Sequence, residues 1–197
     1  MGIREVMSPS RAVFLDRDGV LNECRVLEGR PYPPEDADAL CLARDALASL
    51  TRLKAAGFVL VCVTNQPDAA RGTRTLQNIQ DMNDKVRGAL PLDALYVCFH
   101  DRGDNCECRK PKPGMLLRGA AEFNLDLVQS FMIGDRASDI GAGKNAGCRT
   151  IFLSRNYAEP QPSPPADYSC NTLTEAVNWI LAQTSPGDGL SPGRTPW

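Results

Sequence analysis

The chain has 197 residues, 43% hydrophobic and 23% charged, with a net charge of −2. That is enough for one domain with a substantial core, and the absence of any basic run longer than Arg109-Lys110 argues against the strongly positive surface that non-specific nucleic-acid binding needs. No apolar stretch approaches the ~20 residues of a membrane span. The start, Met-Gly-Ile-Arg-Glu-Val, has neither the apolar core of a signal peptide nor the Ser or Thr at position 6 that myristoylation requires, so the cytoplasm is the expected compartment.

Ala12–Asp16 is predicted as a first strand, an apolar run that ends in Asp16-Arg17-Asp18-Gly19. Strand geometry puts Asp16 and the residue after next on one side, and Gly19 lets the chain turn sharply. Carboxylates this close repel each other unless a cation lies between them. Mg²⁺ suits the position, because it takes one or two carboxylates plus water and substrate phosphate. The functional reading is phosphoryl transfer to Asp16 with Asp18 as acid and base. The plainer reading is acidic residues capping a turn.

Residues 19–41 form a long connection rich in Pro, Arg and Asp. Ala43, Ala46, Leu47, Leu50 and Leu53 recur at helical spacing, with Gly57 as the stop. Phe58–Val63 is a continuous apolar run, as expected for a strand buried on both faces, and it runs into Thr64-Asn65-Gln66. Thr73 is placed as the cap of a helix whose buried stripe is Leu76, Ile79, Met82, Val86 and Leu90. Ala94–Phe99 is a third strand and Met115–Phe123 a third helix. Phe131–Ile133 is a fourth strand, ending in Gly134-Asp135-Arg136 with Asp139 beyond. A helix over Ser138–Ala146 stops at Gly147, and Thr150–Leu153 is a fifth strand. After a Pro-rich connector at 155–166, Thr172–Gln183 is a last helix with Leu173, Ala176, Val177 and Ile180 inward. Residues 1–184 are expected as a single domain and 185–197 as a disordered tail.

Strands alternating with helices imply an α/β, Rossmann-like doubly wound fold, its mostly parallel sheet covered by helices on both faces. Ligands of such sheets bind beyond the carboxyl ends of the strands. Asp16, Thr64, His100 and Asp135 all fall at such ends, so distant motifs converge on one edge. No helical cap insertion is visible around Thr64, and loops are expected to roof the site.

Cys98-Phe-His100 and Cys106-Glu-Cys108 enclose the chain's single histidine. Three thiolates and one imidazole make a closed Cys₃His zinc set with no position left for water, hence a structural clip. Buried free thiols, or a transient disulfide between Cys106 and Cys108, are the alternative. Cys62 lies in a strand and reads as core. Arg109-Lys110 follows the clip directly, so zinc would hold two cations over the phosphate site.

The order of these motifs (Asp-x-Asp, Thr64, Lys110 and Gly-Asp-x-x-x-Asp) over about residues 11–154 resembles the haloacid dehalogenase (HAD) superfamily of phosphohydrolases. Cys-x-His, Cys-x-Cys-Arg-Lys-Pro and Thr-Asn-Gln are similar to its zinc-containing branch of heptose-bisphosphate and histidinol-phosphate phosphatases. Gly29-Arg30-Pro31-Tyr32 and Lys110-Pro-Lys-Pro-Gly-Met resemble the heptose enzymes, while Gly134-Asp135-Arg136-Ala137-Ser138-Asp139-Ile140 is equally similar to the histidinol-phosphatases, which with other small-molecule phosphatases are the alternative. One departure stands out: those enzymes carry Ser-Gly after Thr-Asn-Gln, where this chain has Pro67-Asp68.

The resemblance implies a phosphomonoester hydrolase working through an aspartyl-phosphate on Asp16, with Asp18 as general acid and base. Mg²⁺ would be held by Asp16, Asp135 and the Asp18 carbonyl. Thr64, Asn65 and Lys110 would bind the transferred phosphate, while Asp139 would orient metal-bound water or Lys110. Arg109 and the 24–34 loop would recognise the rest of a small substrate, a sugar bisphosphate being expected, and Arg136 beside the metal motif is either a further substrate-binding cation or a solvated one. The protein is expected to act as a monomer. A phosphorylated DNA end and a non-catalytic zinc-stabilised module are the more distant alternatives.

Overall fold

The computed structural model describes residues 9–184. In chain order, β1 (Ala12–Leu15) leads to β2 (Arg25–Leu27) and β3 (Arg30–Tyr32), then α1 (Ala46–Ala55), β4 (Val59–Asn65), α2 (Leu76–Ala89) and β5 (Ala94–Cys98). There follow α3 (Gly114–Phe123), β6 (Phe131–Gly134), α4 (Ala137–Ala146), β7 (Arg149–Leu153), β8 (Tyr168–Cys170) and α5 (Leu173–Thr184). Six strands form one sheet in the order β5-β4-β1-β6-β7-β8, and every pairing in it is parallel.

The alternation of side chains along β1 shows why its apolar run is continuous. Val13 and Leu15 join one core with Leu50 and Leu53 of α1, Met82 of α2 and Val177 of α5. Ala12 and Phe14 face the other core, with Met115 and Leu116 of α3 and Ala142 of α4. A strand covered on both faces needs apolar residues at every position. Helix ends follow their local signals: Gly147 closes α4 in the left-handed region at φ +83°. Among the described residues no helix is long and apolar enough to cross a membrane.

From β1 the sheet grows outward in both directions, to β4 and β5 on one side and to β6, β7 and β8 on the other. Such a switch in strand order opens a crevice at the carboxyl ends. Asp16 follows β1 and Asp135 follows β6, so the two flank that crevice.

The structure departs from the sequence reading in four places. The 19–41 connection contains the β2–β3 hairpin, turned by Glu28 (φ +50°) and Gly29 (φ +74°). Two consecutive positive φ values match the mirror-image turn that joins hairpins, but Asn-Gly, not Glu-Gly, is its strong sequence signal. A sixth sheet strand, β8, pairs with β7; its three residues Tyr-Ser-Cys form no apolar run of the kind that marks Phe131–Ile133. Thr75, not Thr73, caps α2, accepting from the Asn78 amide at 3.1 Å. Leu76, expected inward, is 59% exposed at the first position of α2, and the buried stripe starts at Ile79. The expected tail at 185–197 lies outside the described residues.

Candidate active site

The floor of the crevice is built from four side chains. Asp16, Asp135 and Asp139 bring carboxylate oxygens within 4.8 Å of one another. Lys110 reaches into them from the loop before α3, its Nζ 2.8 Å from Asp16 Oδ1 and 2.7 Å from Asp139 Oδ1. It also donates to the Val63 carbonyl at 2.8 Å. All four residues are buried. Burial alone would drive the Lys110 ammonium toward neutrality, but Asp139 and Asp16 outweigh it and raise its pKa.

One lysine cannot neutralise three acids. Burial first, with a further push from Asp139 and Asp18 against the pull of Lys110, raises Asp16 to about 6. Asp135 is raised well above the ordinary carboxylate range by burial, then by Asp16 and Asp139; Arg136 and the nearby Tyr157 hydroxyl do not offset this. Both Asp135 carboxylate oxygens are buried and accept no hydrogen bond of ordinary geometry. Gly19, at φ +88°, passes so close to Asp135 that a Cβ there would collide with its Oδ2. A crowded set of hard oxygen donors with one orphaned carboxylate fits a small divalent cation such as Mg²⁺.

Asp18 has the opposite environment. Burial would raise its pKa, but Arg17 and hydrogen bonds from Arg17, Gln66 and Asn22 hold it below the ordinary value. Thr64 is buried at the end of β4, and its hydroxyl accepts from Gln66 Nε2 at 2.9 Å. Asn65 lines the crevice, but both ends of its amide pair with the Lys110 backbone, at 3.1 and 3.2 Å. In this structure its amide therefore sets the position of Lys110.

Above the floor opens a cleft of about 750 Å³, with Arg71, Arg74, Arg109 and Arg136 among its walls. Arg109 donates to the His100 carbonyl at 2.9 Å, and Arg136 approaches Glu159 at 3.7 Å. Arg71 is fixed by Asp101 through two hydrogen bonds of 2.7 Å, tying the loop after β4 to the loop after β5. Asp68 also lines the cleft, with its carboxylate 3.6 Å from Arg74 Nε.

The loop after β5 carries the cysteine cluster. Cys98 Sγ lies 3.7 Å from Cys106 Sγ, and Cys106 Sγ lies 3.5 Å from Cys108 Sγ. His100 Nδ1 stands 3.7 Å from Cys98 and 3.3 Å from Cys108. A tetrahedral zinc with Zn–S of about 2.3 Å spaces its sulfurs by about 3.8 Å, so the donor set is already near that geometry. None of the cysteines forms a disulfide.

Comparison with known proteins places this geometry in a family. The profile of the HAD-hydrolase-like family matches residues 107–176, which include Lys110, Asp135 and Asp139. The chain is 34% identical over 182 residues to the D-glycero-beta-D-manno-heptose-1,7-bisphosphate 7-phosphatase of Helicobacter pylori, covering 89% of this chain and 99% of that protein. The chain belongs to this family of HAD-like phosphatases.

The Escherichia coli member is 31% identical over 189 residues, covering 89% of this chain and 96% of its own. The fold agrees with a crystal structure of the D,D-heptose 1,7-bisphosphate phosphatase of B. bronchiseptica complexed with magnesium and phosphate. That likeness has a TM-score of 0.72 at 26% identity and covers 88% of this chain and 99% of that one. As in a HAD phosphatase without a large cap, the segment from Asp16 to α1 holds only the short hairpin.

Of the residues singled out from the sequence, Asp16, Lys110, Asp135 and Asp139 come together on the floor, Asp18 and Thr64 line the cleft, and Asn65 lines it with its amide turned to the Lys110 backbone. Arg25, the first residue of β2, points to Glu35 and is 65% exposed. Two residues of this phosphatase site were not singled out. Arg17 is completely buried beside Asp18, and Gln66 bridges Asp18 and Thr64. A charged residue between two motif acids was the available signal for Arg17.

Proposed function

We propose that this phosphatase hydrolyses D-glycero-β-D-manno-heptose 1,7-bisphosphate at the primary 7-phosphate, through a covalent aspartyl-phosphate on Asp16. The reading is carried by the buried Asp16–Lys110–Asp135–Asp139 cluster beneath an arginine-walled cleft, and it is supported by the activity named for the family members.

Asp16 Oδ attacks phosphorus in line, which splits one difficult displacement into two easier ones. Lys110 and the Thr64 hydroxyl bind the transferred phosphate oxygens. Asn65 holds the Lys110 backbone in place and presents the crevice edge. Asp18, a carboxylate in the free site, takes up a proton from solvent as the substrate binds, gives it to the departing sugar oxygen, then takes one from the water that cleaves the aspartyl-phosphate. Asp16 and Asp135, with the Asp18 carbonyl, would hold Mg²⁺, which supplies charge neutralisation when bound. Asp139 anchors Lys110. Cys98, His100, Cys106 and Cys108 would hold a structural zinc that stiffens the loop carrying Arg109 and Lys110.

The second phosphate of a bisphosphate needs cations away from the floor, and Arg109 and Arg136 answer that need. Histidinol phosphate would instead call for carboxylates around its amine. Asp68 is the candidate, but Arg74 beside it offsets its charge.

The test is phosphate release from heptose 1,7-bisphosphate, histidinol phosphate, other sugar phosphates and 3′-phosphorylated DNA, with the heptose product examined for its remaining phosphate. The expected result is the highest kcat/KM on the heptose bisphosphate and retention of the 1-phosphate. Preference for histidinol phosphate, or loss of the 1-phosphate, overturns the assignment.

A further inference from the structure

Arg17 has an unusual position for an arginine. It lies between the two motif aspartates, and none of its surface reaches solvent. Its guanidinium forks onto Asp18: Nη2 stands 3.0 Å from Oδ1 and 2.8 Å from Oδ2, and Nε lies 3.3 Å from Oδ1. The remaining arm, Nη1, donates to Asn83 Oδ1 at 2.7 Å. Asn83 lies on α2 and is itself 1% exposed.

The Asn83 amide nitrogen is buried with no partner. A buried orphan donor is destabilising, and an apolar side chain of similar volume would avoid it. What the asparagine supplies in exchange is the single acceptor behind Arg17. The backbone closes the arrangement from the other side: the Arg17 carbonyl accepts the amides of Val20, Leu21 and Asn22. Arg17 therefore cannot follow Asp18 if Asp18 moves. Asn22 and Gln66 add one donor to each Asp18 oxygen, at 3.0 and 2.7 Å. A planar fork fixes the plane of a carboxylate in a way that a point charge does not.

We infer that Arg17, locked from behind by Asn83, is the positioning residue that aims the Asp18 carboxyl at the leaving-group oxygen. The inference rests on the role of Asp18 given above. In the first step a bond forms from Asp16 Oδ to phosphorus and the bond from phosphorus to the sugar oxygen breaks. Asp18, which its donors hold as the carboxylate in the free site, takes a proton from solvent as the substrate binds; that proton passes to the sugar oxygen and leaves Asp18 as the carboxylate again. Within this first step only that transfer depends on where the Asp18 carboxyl points; its base role belongs to the second step, which kcat/KM does not report. A leaving group that departs readily as an anion does not need it, whereas an alkoxide does.

The experiment compares kcat/KM for p-nitrophenyl phosphate and for heptose 1,7-bisphosphate, since kcat/KM reports only the steps through formation of the aspartyl-phosphate. Asn83→Leu removes the acceptor behind Arg17, and Asn83→Asp keeps one. Asn83→Ala and Arg17→Lys serve if Asn83→Leu does not fold. In Asn83→Leu the heptose reaction should fall about 10-fold or more while the aryl reaction stays within about 3-fold, a partial loss of the ~10²–10⁴-fold that an acid contributes. Asn83→Asp should restore the wild-type ratio. Equal losses on both substrates would mean that Arg17 and Asn83 only support the fold, and would overturn the inference. Asp18→Asn is the control for the underlying reading: if it too lowers both substrates equally, the acid role of Asp18 fails, whatever Asn83 does.

Discussion

The Lys110 ammonium stands 2.8 Å from the Asp16 carboxylate, and both lie at the bottom of the cleft, with side chains 1% and 10% exposed. Asp16 needs Lys110, because a lone buried charge carries a large desolvation penalty, whereas Lys110 keeps Asp139 if Asp16 is neutralised. Lys110→Met should therefore lower stability by about 3–5 kcal/mol, the usual cost of removing one partner of a buried pair. It should also abolish turnover. A thermal melt and a phosphate-release assay check both, and a stable variant with measurable turnover would contradict the pairing argument.

Asp16→Asn separates function from stability. It removes the proposed nucleophile at constant volume and takes one negative charge from a crowded acidic site. Steady-state activity should vanish, while the melting temperature without added metal should be no lower than in the wild type at pH 7.5. Residual activity within 10-fold of wild type would exclude a covalent role for Asp16.

Magnesium binding should depend on pH with a definite sign. Asp16 is raised to about 6 in the folded protein, chiefly by burial. A raised carboxyl holds its proton more tightly folded than unfolded, so its contribution to stability is full below about pH 4 and is lost as the pH rises through 6. The metal needs the ionised form. The rise in melting temperature on adding Mg²⁺ should therefore grow between pH 5 and pH 7. A shift that is flat across this range would show that Asp16 is already ionised in the metal-free protein.

Elemental analysis should find about one zinc per chain, following the single closed Cys₃His set. Brief chelation should remove activity that Mg²⁺ alone restores, because the zinc is held by four ligands. Cys106→Ser should lower both zinc content and melting temperature, and should raise KM, since Arg109 is held against His100. Full stability without zinc would reject the clip.

Arg109→Ala and Asp68→Gly probe the cleft wall from opposite sides. Losing a hydrogen bond to a charged group costs about 1.5–3 kcal/mol, so Arg109→Ala should lower kcat/KM for the heptose bisphosphate by at least ~10-fold. Asp68→Gly should change it by less than about 3-fold, because Arg74 already occupies the Asp68 carboxylate. A gain in heptose turnover with a loss of histidinol phosphate turnover in Asp68→Gly would make Asp68 a determinant of specificity.

Five of the sheet strands and all five helices were legible in the sequence, because each is long enough for its apolar pattern to register and most end at a local stop such as Gly57 or Gly147. Asp16, Thr64, Lys110 and Asp135 were legible too, since strand ends in a parallel sheet share one edge. The hairpin and β8 were not, because Arg-Val-Leu, Arg-Pro-Tyr and Tyr-Ser-Cys are short and contain no continuous apolar run. Tertiary structure alone decided which polar groups meet. Arg17 meets Asn83 across 66 residues, Asn65 meets Lys110 across 45, and Asp68 finds Arg74 within one loop. A side chain's chemical type is local, but its partner depends on which loops the sheet brings together. The burial that raises Asp16 and Asp135 while Asp18 stays low is likewise a property of the assembled crevice.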